Sequence, residues 1–125
     1  MYQVGTAAEF GAEHVMPGAD GPEGTLHSHD YRLEVVLDRE ALDADGMVCD
    51  LDVLHAVLDK IVGTVSGQNL EVIRPHDREA VTVEVFAKWA HEQLADGLAG
   101  TGVDDIHVRV YENPVAFGGY SGPPS

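Results

Sequence analysis

Residues 27–38 read His-Ser-His-Asp-Tyr-Arg-Leu-Glu-Val-Val-Leu-Asp. In an extended strand, alternate side chains point to the same face. From Tyr31 onward the odd-numbered positions are apolar and most even-numbered ones are polar, which predicts a strand over 29–38 with one buried face. His27 and His29 continue the apolar row at the head of this strand. Both imidazoles are therefore expected on the buried face.

The preceding segment, residues 1–14, alternates in the same way and ends in a third histidine. His14 shares its parity with Phe10 and the other apolar residues of that segment. A hairpin of the two strands would bring all three rings to one side of a sheet. Three imidazoles with an open fourth position are the ligand set of a catalytic zinc site, so the pattern predicts one here.

The rest of the chain predicts two helices followed by two strands. Asp50 and Thr82 are expected to cap the helices, and Gly67 is expected to end the first. Strands are predicted over 105–112 and 115–120. The apolar stripes of the helices are Leu51, Leu54, Leu58, Ile61 and Val65 in the first, and Val85, Phe86, Trp89, Ala90, Leu94 and Leu98 in the second.

The resulting order, ββααββ, is typical of an α+β layer in which a four-stranded antiparallel sheet carries two helices on one face. With 125 residues the chain is expected to form a single domain over residues 1–121, followed by a flexible tail at 122–125. A four-stranded sheet has exposed edges, and oligomerisation is one way to cover them.

Composition narrows the function classes. A net charge of −15 argues against binding to nucleic acid or to anionic membrane surfaces. The single cysteine, Cys49, allows no disulfide within the chain and is expected to be a small buried residue. No signal-like leader and no apolar run of roughly 20 residues is present, so a cytoplasmic protein is expected.

One carboxylate ends an apolar row. Glu112 has the parity of Ile106, Val108 and Val110, and a carboxylate buried there would need a partner. A flat ligand edge with two parallel N–H donors would provide one. The alternative is a glutamate at a strand end that reaches water.

The remaining candidates carry weaker signals. His55 and His91 lie within the predicted helices and are expected to face solvent, and His107 falls on the sheet face opposite the apolar row. Taken alone, Glu23 is a loop glutamate and Thr82 is a helix cap.

Taken together, these residues resemble the 6-pyruvoyltetrahydropterin synthase and 6-carboxytetrahydropterin synthase family. The resemblance covers roughly residues 10–120. The segments that carry it are Phe10-Gly11-Ala12-Glu13-His14, His27-Ser28-His29-Asp30-Tyr31, Gly46-Met47-Val48-Cys49-Asp50, Thr82-Val83-Glu84 leading to Ala87-Lys88-Trp89, and Val110-Tyr111-Glu112.

The resemblance implies a tunnelling fold (T-fold). It also implies a homohexamer, in which three subunits join their sheets into a barrel and two such rings stack, with active sites between subunits. By the same resemblance His14, His27 and His29 are zinc ligands, Glu112 anchors a pterin, and Thr82 lies near that pterin.

The chain departs from the family pattern at three places. Glu23 stands where the synthases have a cysteine, four residues before the first histidine of the pair. Residues 65–71 contain neither residue of the usual Asp-His pair, and Ser28 replaces a glycine. The synthase reaction removes triphosphate from the substrate and shifts protons on the substrate's side chain, which needs a base on one face of that side chain and an acid on the other. Weak or missing synthase activity is therefore expected.

The leading hypothesis is therefore a pterin-binding homologue, acting if at all as a lyase on a dihydropterin side chain with Glu23 as base. The alternative is a non-catalytic sensor or carrier of a pterin- or purine-like ligand, held by Glu112 and Thr82. A structural hexamer with an empty pocket is a third option. Glu23 could also join the metal coordination or hydrogen-bond a histidine.

Overall fold

The computed structural model describes residues 1–125 and contains four strands, two helices and two short 3-10 turns. The strands are β1 (Tyr2–His14), β2 (His27–Arg39), β3 (Asp105–Tyr111) and β4 (Phe117–Gly122). The helices are α1 (Leu51–Val65) and α2 (Val83–Gly97), and the 3-10 turns are η1 (Gly21–Gly24) and η2 (Leu70–Ile73).

The strands form one antiparallel sheet in the order β1-β2-β3-β4, and both helices lie between β2 and β3 in the chain. The predicted α+β arrangement and its element order are thus confirmed. β1 and β2 pair along their full length, from Tyr2 opposite Arg39 to His14 opposite His27. β1 and β4 are the two edges of the sheet.

The core lies between one face of the sheet and the two helices. Alternation along β2 and β3 buries every second side chain, as the sequence predicts. The fully buried sheet residues are Leu33, Val35, Leu37, Ile106, Val108 and Val110, and they pack with Phe86, Ala90 and Leu94 of α2 and with Leu54, Leu58, Ile61 and Val65 of α1. Cys49 is buried in the same cluster, as expected.

The helix ends follow the predicted chemistry. The Asp50 side chain accepts a hydrogen bond from the Asp52 backbone N–H, and Thr82 Oγ1 accepts one from the Val85 backbone N–H. Each cap pairs a donor that the first turn would otherwise leave unpaired. Gly67, just after α1, has a φ of +70°, which glycine adopts without steric cost.

Some predictions at the level of single residues are wrong. β2 begins at His27 rather than at residue 29. Leu51 is 40% exposed, because it is the first residue of α1 and lies off the inner face. His91 was expected to face solvent but is buried against β4, where its Nε2 pairs with the Gly122 carbonyl oxygen at 3.0 Å. This hydrogen bond offsets the free-energy cost of burying the polar imidazole of His91.

Neither helix combines the length and the apolar character that crossing a membrane would require.

Candidate metal and ligand site

The β1–β2 hairpin brings the three histidines of the sequence pattern together. His14 lies directly opposite His27, and His29 lies opposite Ala12. The ring centroids are 4.6 to 6.2 Å apart, and one nitrogen from each ring lies within 4.8 Å of the other two. We call these three residues the histidine group.

Hydrogen bonds to backbone carbonyls orient two of the rings. His14 Nε2 lies 2.9 Å from the Val81 carbonyl oxygen, and His27 Nδ1 lies 2.7 Å from the Thr25 carbonyl oxygen. A carbonyl only accepts, so each of these nitrogens carries the proton of a neutral imidazole and the other keeps a lone pair. Carbonyl partners of this kind fix the tautomer of metal-binding histidines.

The ring nitrogens that do not bond to a backbone carbonyl are the candidates for metal binding. His14 Nδ1 is the only buried side-chain nitrogen or oxygen without a hydrogen-bond partner. His27 Nε2 and His29 Nε2 lie 2.9 Å apart, and because the His27 proton is on Nδ1, the His29 N–H donates to His27 Nε2. A metal bound by both nitrogens would take the place of that proton. Burial lowers the pKa of His14 by more than its bond to the Val81 carbonyl raises it, and His27 and His29 add to the lowering. The neutral form, which can ligate a metal, is thereby favoured.

A cavity of about 380 Å³ opens beside the histidine group. We call it the site cavity. Its walls come from the end of β1, the η1 loop, β2, η2, the start of α2 and the residue after β3. The lining residues are His14, Met16, Ala19, Glu23, Tyr31, Leu70, Val81, Thr82, Val83, Glu84, Phe86 and Glu112. A volume near 400 Å³ lies within the range of small-molecule pockets.

Glu112 lies one residue beyond β3 and is partly buried. Its backbone N–H donates to the Ala116 carbonyl, whereas its carboxylate takes part in none of the ion pairs of the chain. The residue lines both the site cavity and an adjoining groove that also contains His29. A partly buried carboxylate without a protein partner is open to a ligand.

Thr82 and Glu23 also line the site cavity, but they differ in hydrogen bonding and in exposure to solvent. Thr82 Oγ1 lies 3.1 Å from the Val85 nitrogen from which it accepts, so its hydroxyl proton remains available to a second group. The Glu23 side chain is 61% exposed, and its Oε2 lies 3.6 Å from His27 Nε2. That distance is too long for a hydrogen bond, and Glu23 falls outside the histidine group.

The loop that carries Glu23 is tightly held. The Met16 backbone N–H donates to the Glu23 carbonyl at 2.8 Å. Thr25 bonds back to the Pro22 carbonyl through both its hydroxyl and its backbone N–H. A Cβ on Gly24 would lie 2.0 Å from the Ala19 carbonyl oxygen, so only glycine fits at position 24 with this backbone conformation.

Eight of the twelve lining residues were not singled out from the sequence as site residues, and Tyr31, Leu70 and Glu84 are the ones that bear most on the chemistry of the cavity. Tyr31 is 2% exposed, and burial, together with the charges of Glu112 and Glu23, raises its pKa. Tyr31 has the same parity as His27 and His29 on β2, and this shared strand face could have indicated it as a site residue. Leu70 and Glu84 gave no signal, because η2 and the first turn of α2 approach the hairpin only in the folded chain.

The segment 65–71, which lacks the Asp-His pair, runs along β1. The Gly67 backbone N–H donates to the Gly11 carbonyl, and the Glu13 backbone N–H donates to the Gln68 carbonyl. The side chain that this segment contributes to the site cavity is Leu70. His76 and Asp77 are exposed and do not line the cavity.

A second group of potential metal ligands, Asp38, Asp105 and His107, lies on the opposite face of the sheet. The Asp38 carboxylate is already paired: Oδ1 accepts from Gln3 Nε2 at 2.8 Å, and Oδ2 lies 2.7 Å from His107 Nε2. These bonds satisfy the carboxylate without an ion.

Comparison with known proteins gives a consistent result. A family model described as 6-pyruvoyl tetrahydropterin synthase matches residues 3–123. No curated protein sequence matches the chain significantly. The structure resembles 6-pyruvoyl tetrahydropterin synthase from Caenorhabditis elegans, with 22% identity, a TM-score of 0.77, and coverage of 97% of this chain and 95% of that one.

Two further solved structures share the fold. One is a Plasmodium vivax 6-pyruvoyltetrahydropterin synthase in which a glutamate, a catalytic residue, is replaced by alanine; it has 15% identity, a TM-score of 0.76, and coverage of 98% and 99%. The other is an uncharacterised protein from Wolinella succinogenes, with 17% identity, a TM-score of 0.73, and coverage of 95% and 97%. The predicted tunnelling fold is thus confirmed.

Proposed function

This chain belongs to the 6-pyruvoyl tetrahydropterin synthase family, and we propose that it binds a pterin in the site cavity with Glu112 as the anchor. Family and fold make it a homologue of pterin-related synthases and lyases. The observation that carries the proposal is that the Glu112 carboxylate and His14, a member of the histidine group, line the same cavity.

The chemistry of Glu112 matches one edge of a pterin. That edge presents a ring N–H and an amino N–H side by side, and a carboxylate accepts such a pair with both oxygens. Tyr31 and Phe86, both nearly fully buried, also line the cavity, and a hydrogen bond is stronger beside such low-dielectric surroundings than in water. Thr82 has a free hydroxyl proton to donate to a ring acceptor.

The histidine group fits a zinc ion. The lone pair of His14 Nδ1 has no partner in the chain, and the proton on His27 Nδ1 is fixed by the Thr25 carbonyl. We therefore assign His14, His27 and His29 as the residues that would hold zinc. Bound there, zinc would supply Lewis-acid polarisation of a ligand oxygen.

If the protein is an enzyme, the residues support a lyase reaction on a dihydropterin side chain. Glu23 Oε2 would accept the proton of a side-chain hydroxyl. The carbon–carbon bond next to that hydroxyl then breaks, leaving a carbonyl on the departing fragment, and its electron pair moves into the pterin ring system. The same proton returns from Glu23 to the carbon that lost its neighbour. Catalysis by a glutamate has a parallel in the Plasmodium vivax protein, whose altered catalytic residue is a glutamate.

The lining of the same cavity supports the expectation of weak or absent synthase activity. Segment 65–71, where the synthases have their Asp-His pair, contributes only Leu70 to the lining, so this chain has no Asp-His relay at that place. An apolar side chain can neither accept nor donate a proton.

A non-catalytic role as a pterin sensor or carrier is the second candidate. It is favoured by the state of Glu23, which is 61% exposed and makes no hydrogen bond to His27. In this role Glu112 and Thr82 would hold the ligand, and Glu23 would contribute little to affinity.

The proposed assembly is a homohexamer of two stacked trimeric barrels. Support comes from the free edges of the sheet, β1 and β4, since exposed strand edges favour pairing with another chain. The sheet face away from the helices carries polar residues such as Gln3, Glu34 and His107, which suits a water-filled tunnel. Light scattering of the purified protein should give six times the chain mass of 13.4 kDa.

Turnover assays test the function. Purified protein is incubated with dihydroneopterin, and side-chain cleavage is followed by chromatography. The lyase proposal expects product from the wild type, loss of product in Glu23→Gln, and full activity in the exposed control Glu40→Gln. Binding without turnover, unchanged in Glu23→Gln, would support the sensor instead. Robust conversion of dihydroneopterin triphosphate to the synthase product would overturn the expectation of weak synthase activity.

A further inference from the structure

Tyr31 follows His27 and His29 along the buried face of β2, since the three residues share a parity. Its ring packs against three others, with centroid distances of 5.8 Å to Phe10, 6.0 Å to Phe86 and 5.6 Å to His29. Only 2% of the residue is exposed. Because the ring is enclosed in this way, the position of its hydroxyl oxygen is fixed by the core.

The hydroxyl of Tyr31 has no partner within the chain. It makes no hydrogen bond, although a buried tyrosine usually finds one. It is nevertheless not among the fully buried polar atoms that lack a partner, a class whose only member is His14 Nδ1. The small exposed part of Tyr31 therefore includes the hydroxyl, which opens onto the concave surface formed by the site cavity and the adjoining groove.

Tyr31 also lies beside Glu112, the proposed anchor of the pterin. Arg32 pairs with Tyr111 in the β2–β3 ladder, so the next residues along the two strands, Tyr31 and Glu112, are cross-strand neighbours on the same face. They are also the two residues that line both the site cavity and the adjoining groove. Both belong to one chain, so this pair is present whichever residues a neighbouring subunit adds to the site.

We propose that the Tyr31 hydroxyl donates a hydrogen bond to an acceptor atom of the pterin ring, next to the edge that Glu112 holds. This inference rests on the proposed function, since it adds a second ring contact to the same site. A carboxylate only accepts, whereas a phenol hydroxyl can donate. The N–H edge of a pterin is flanked by acceptors, a ring carbonyl oxygen on one side and a ring nitrogen on the other. A donor beside a carboxylate matches that alternation.

The position of Tyr31 along β2 assigns its hydroxyl to the ring rather than to the ligand's side chain. Tyr31 is level with Glu112, which holds the ring edge, whereas His29 lies two residues further along the strand. At about 3.4 Å per residue this places the histidine group roughly 7 Å or more from the level of Tyr31. The side chain of the ligand belongs to the histidine group, and the ring belongs to Glu112 and Tyr31.

Tyr31→Phe removes the hydroxyl and keeps the ring that packs in the core. Fluorescence titration of the assembled full-length protein compares unsubstituted pterin with neopterin, which share the oxidised ring and differ in the side chain. We expect the variant to bind both ligands more weakly than the wild type by the same factor, about threefold to tenfold in Kd, from the loss of one hydrogen bond. Weakening confined to neopterin would overturn the assignment to the ring.

Further measurements separate an effect on the ligand from an effect on the fold. The ligand-free variant should unfold with a free energy no lower than that of wild type, because the hydroxyl has no partner in the chain to lose. Its assembled mass and its zinc content should be unchanged, since Tyr31 lies outside the histidine group. Tyr120→Phe makes the same chemical change on β4, outside the cavity and the groove, and should bind both ligands as the wild type does.

The outcomes distinguish this inference from the proposed function. Wild type that binds pterin while Tyr31→Phe binds it equally well would overturn the inference and leave the proposed function in place. A lower free energy of unfolding or a smaller assembly of Tyr31→Phe would overturn it as well, because the hydroxyl would then have a structural partner. Wild type that binds neither ligand would overturn the proposed function and this inference together.

Discussion

His14 and His27 stand directly opposite each other in the β1–β2 hairpin, with their ring centroids 5.5 Å apart. Thirteen strand residues on each side fix that register. A slip of one residue would move every side chain of one strand to the other face and would disperse the histidine group. The buried apolar row of β2 prevents such a slip, so the core of the protein also positions the site.

Metal content is the first prediction. Protein purified without chelator should contain about one zinc per chain, and His29→Ala should lose it, because each ligand contributes to a four-coordinate site. Elemental analysis gives the ratio. Zinc should also raise the melting temperature of chelator-treated wild type, since a ligand that binds only the folded state stabilises it.

His76→Ala is the matched control for that experiment. His76 is exposed and lies outside the site cavity, so its removal should leave the zinc content unchanged. Wild type that contains no zinc and shows no thermal shift on its addition would contradict the assignment.

Loss of the Glu112 carboxylate should weaken pterin binding. Glu112→Gln replaces one acceptor oxygen by an N–H₂ group that faces the N–H edge of the ligand, at a cost of about 1–3 kcal/mol, or roughly tenfold to a hundredfold in Kd. Titration of pterin fluorescence measures the change. Glu40→Gln, an exposed glutamate outside the cavity, should bind as the wild type does. An unchanged Kd in Glu112→Gln would contradict the proposal that Glu112 anchors the pterin.

Two glycines should respond in opposite directions to alanine. Gly24→Ala forces a Cβ against the Ala19 carbonyl oxygen and should lower the free energy of unfolding by about 1–3 kcal/mol while displacing Glu23. Gly63→Ala, in α1 with no atom near the added Cβ, should raise it by about 0.5–1 kcal/mol. Urea denaturation measures both. Equal free energies of unfolding for Gly24→Ala and wild type would contradict the prediction and would show that the loop rearranges at little cost to accept the Cβ.

Asp38 should make stability depend on acid pH. Burial alone would raise its pKa, but the hydrogen bonds from His107 and Gln3 outweigh this and the pKa is lowered from 3.8. A carboxyl whose pKa is lower in the folded state stabilises the protein above its unfolded pKa, and that contribution is lost as the pH falls through the folded value.

The variant Asp38→Asn should therefore be less stable than wild type by about 1 kcal/mol near neutral pH, because two partly buried hydrogen bonds lose their charged acceptor. The difference should shrink below about pH 4. Denaturation at a series of pH values follows it, with the exposed Asp59→Asn as control. A difference that stays constant from pH 7 to pH 3 would contradict the pKa shift.

Most of the fold could be predicted because it depends on local patterns. The period-2 alternation of β1, β2 and β3, the apolar stripes of the helices, and the caps Asp50 and Thr82 all act over a few residues. The errors fall where a distant partner decides. His91 is buried because β4, 31 residues further on, offers it the Gly122 carbonyl. No pattern around His91 reports that contact.

Part of the candidate site could likewise be predicted from local patterns, and part depends on distant contacts. Strand parity alone placed His14, His27, His29 and Glu112 on the buried side of the sheet. The sequence did not indicate that Leu70 and Glu84 would join them, since η2 and the start of α2 reach the cavity only through helix packing. The long spacing between Glu23 Oε2 and His27 Nε2 was likewise not predictable, because it depends on how the loop folds back on Met16 and Ala19.

The sequence by itself determined the element order, the buried faces and the set of histidines, because side-chain period and capping are properties of neighbouring residues. Only the tertiary structure decided which carbonyls fix the tautomers of His14 and His27 and which carboxylates share their cavity. The Val81 carbonyl that orients His14 comes from a segment 67 residues away in the chain. Contacts over such separations arise when the whole core packs, and a local pattern of residues cannot encode them.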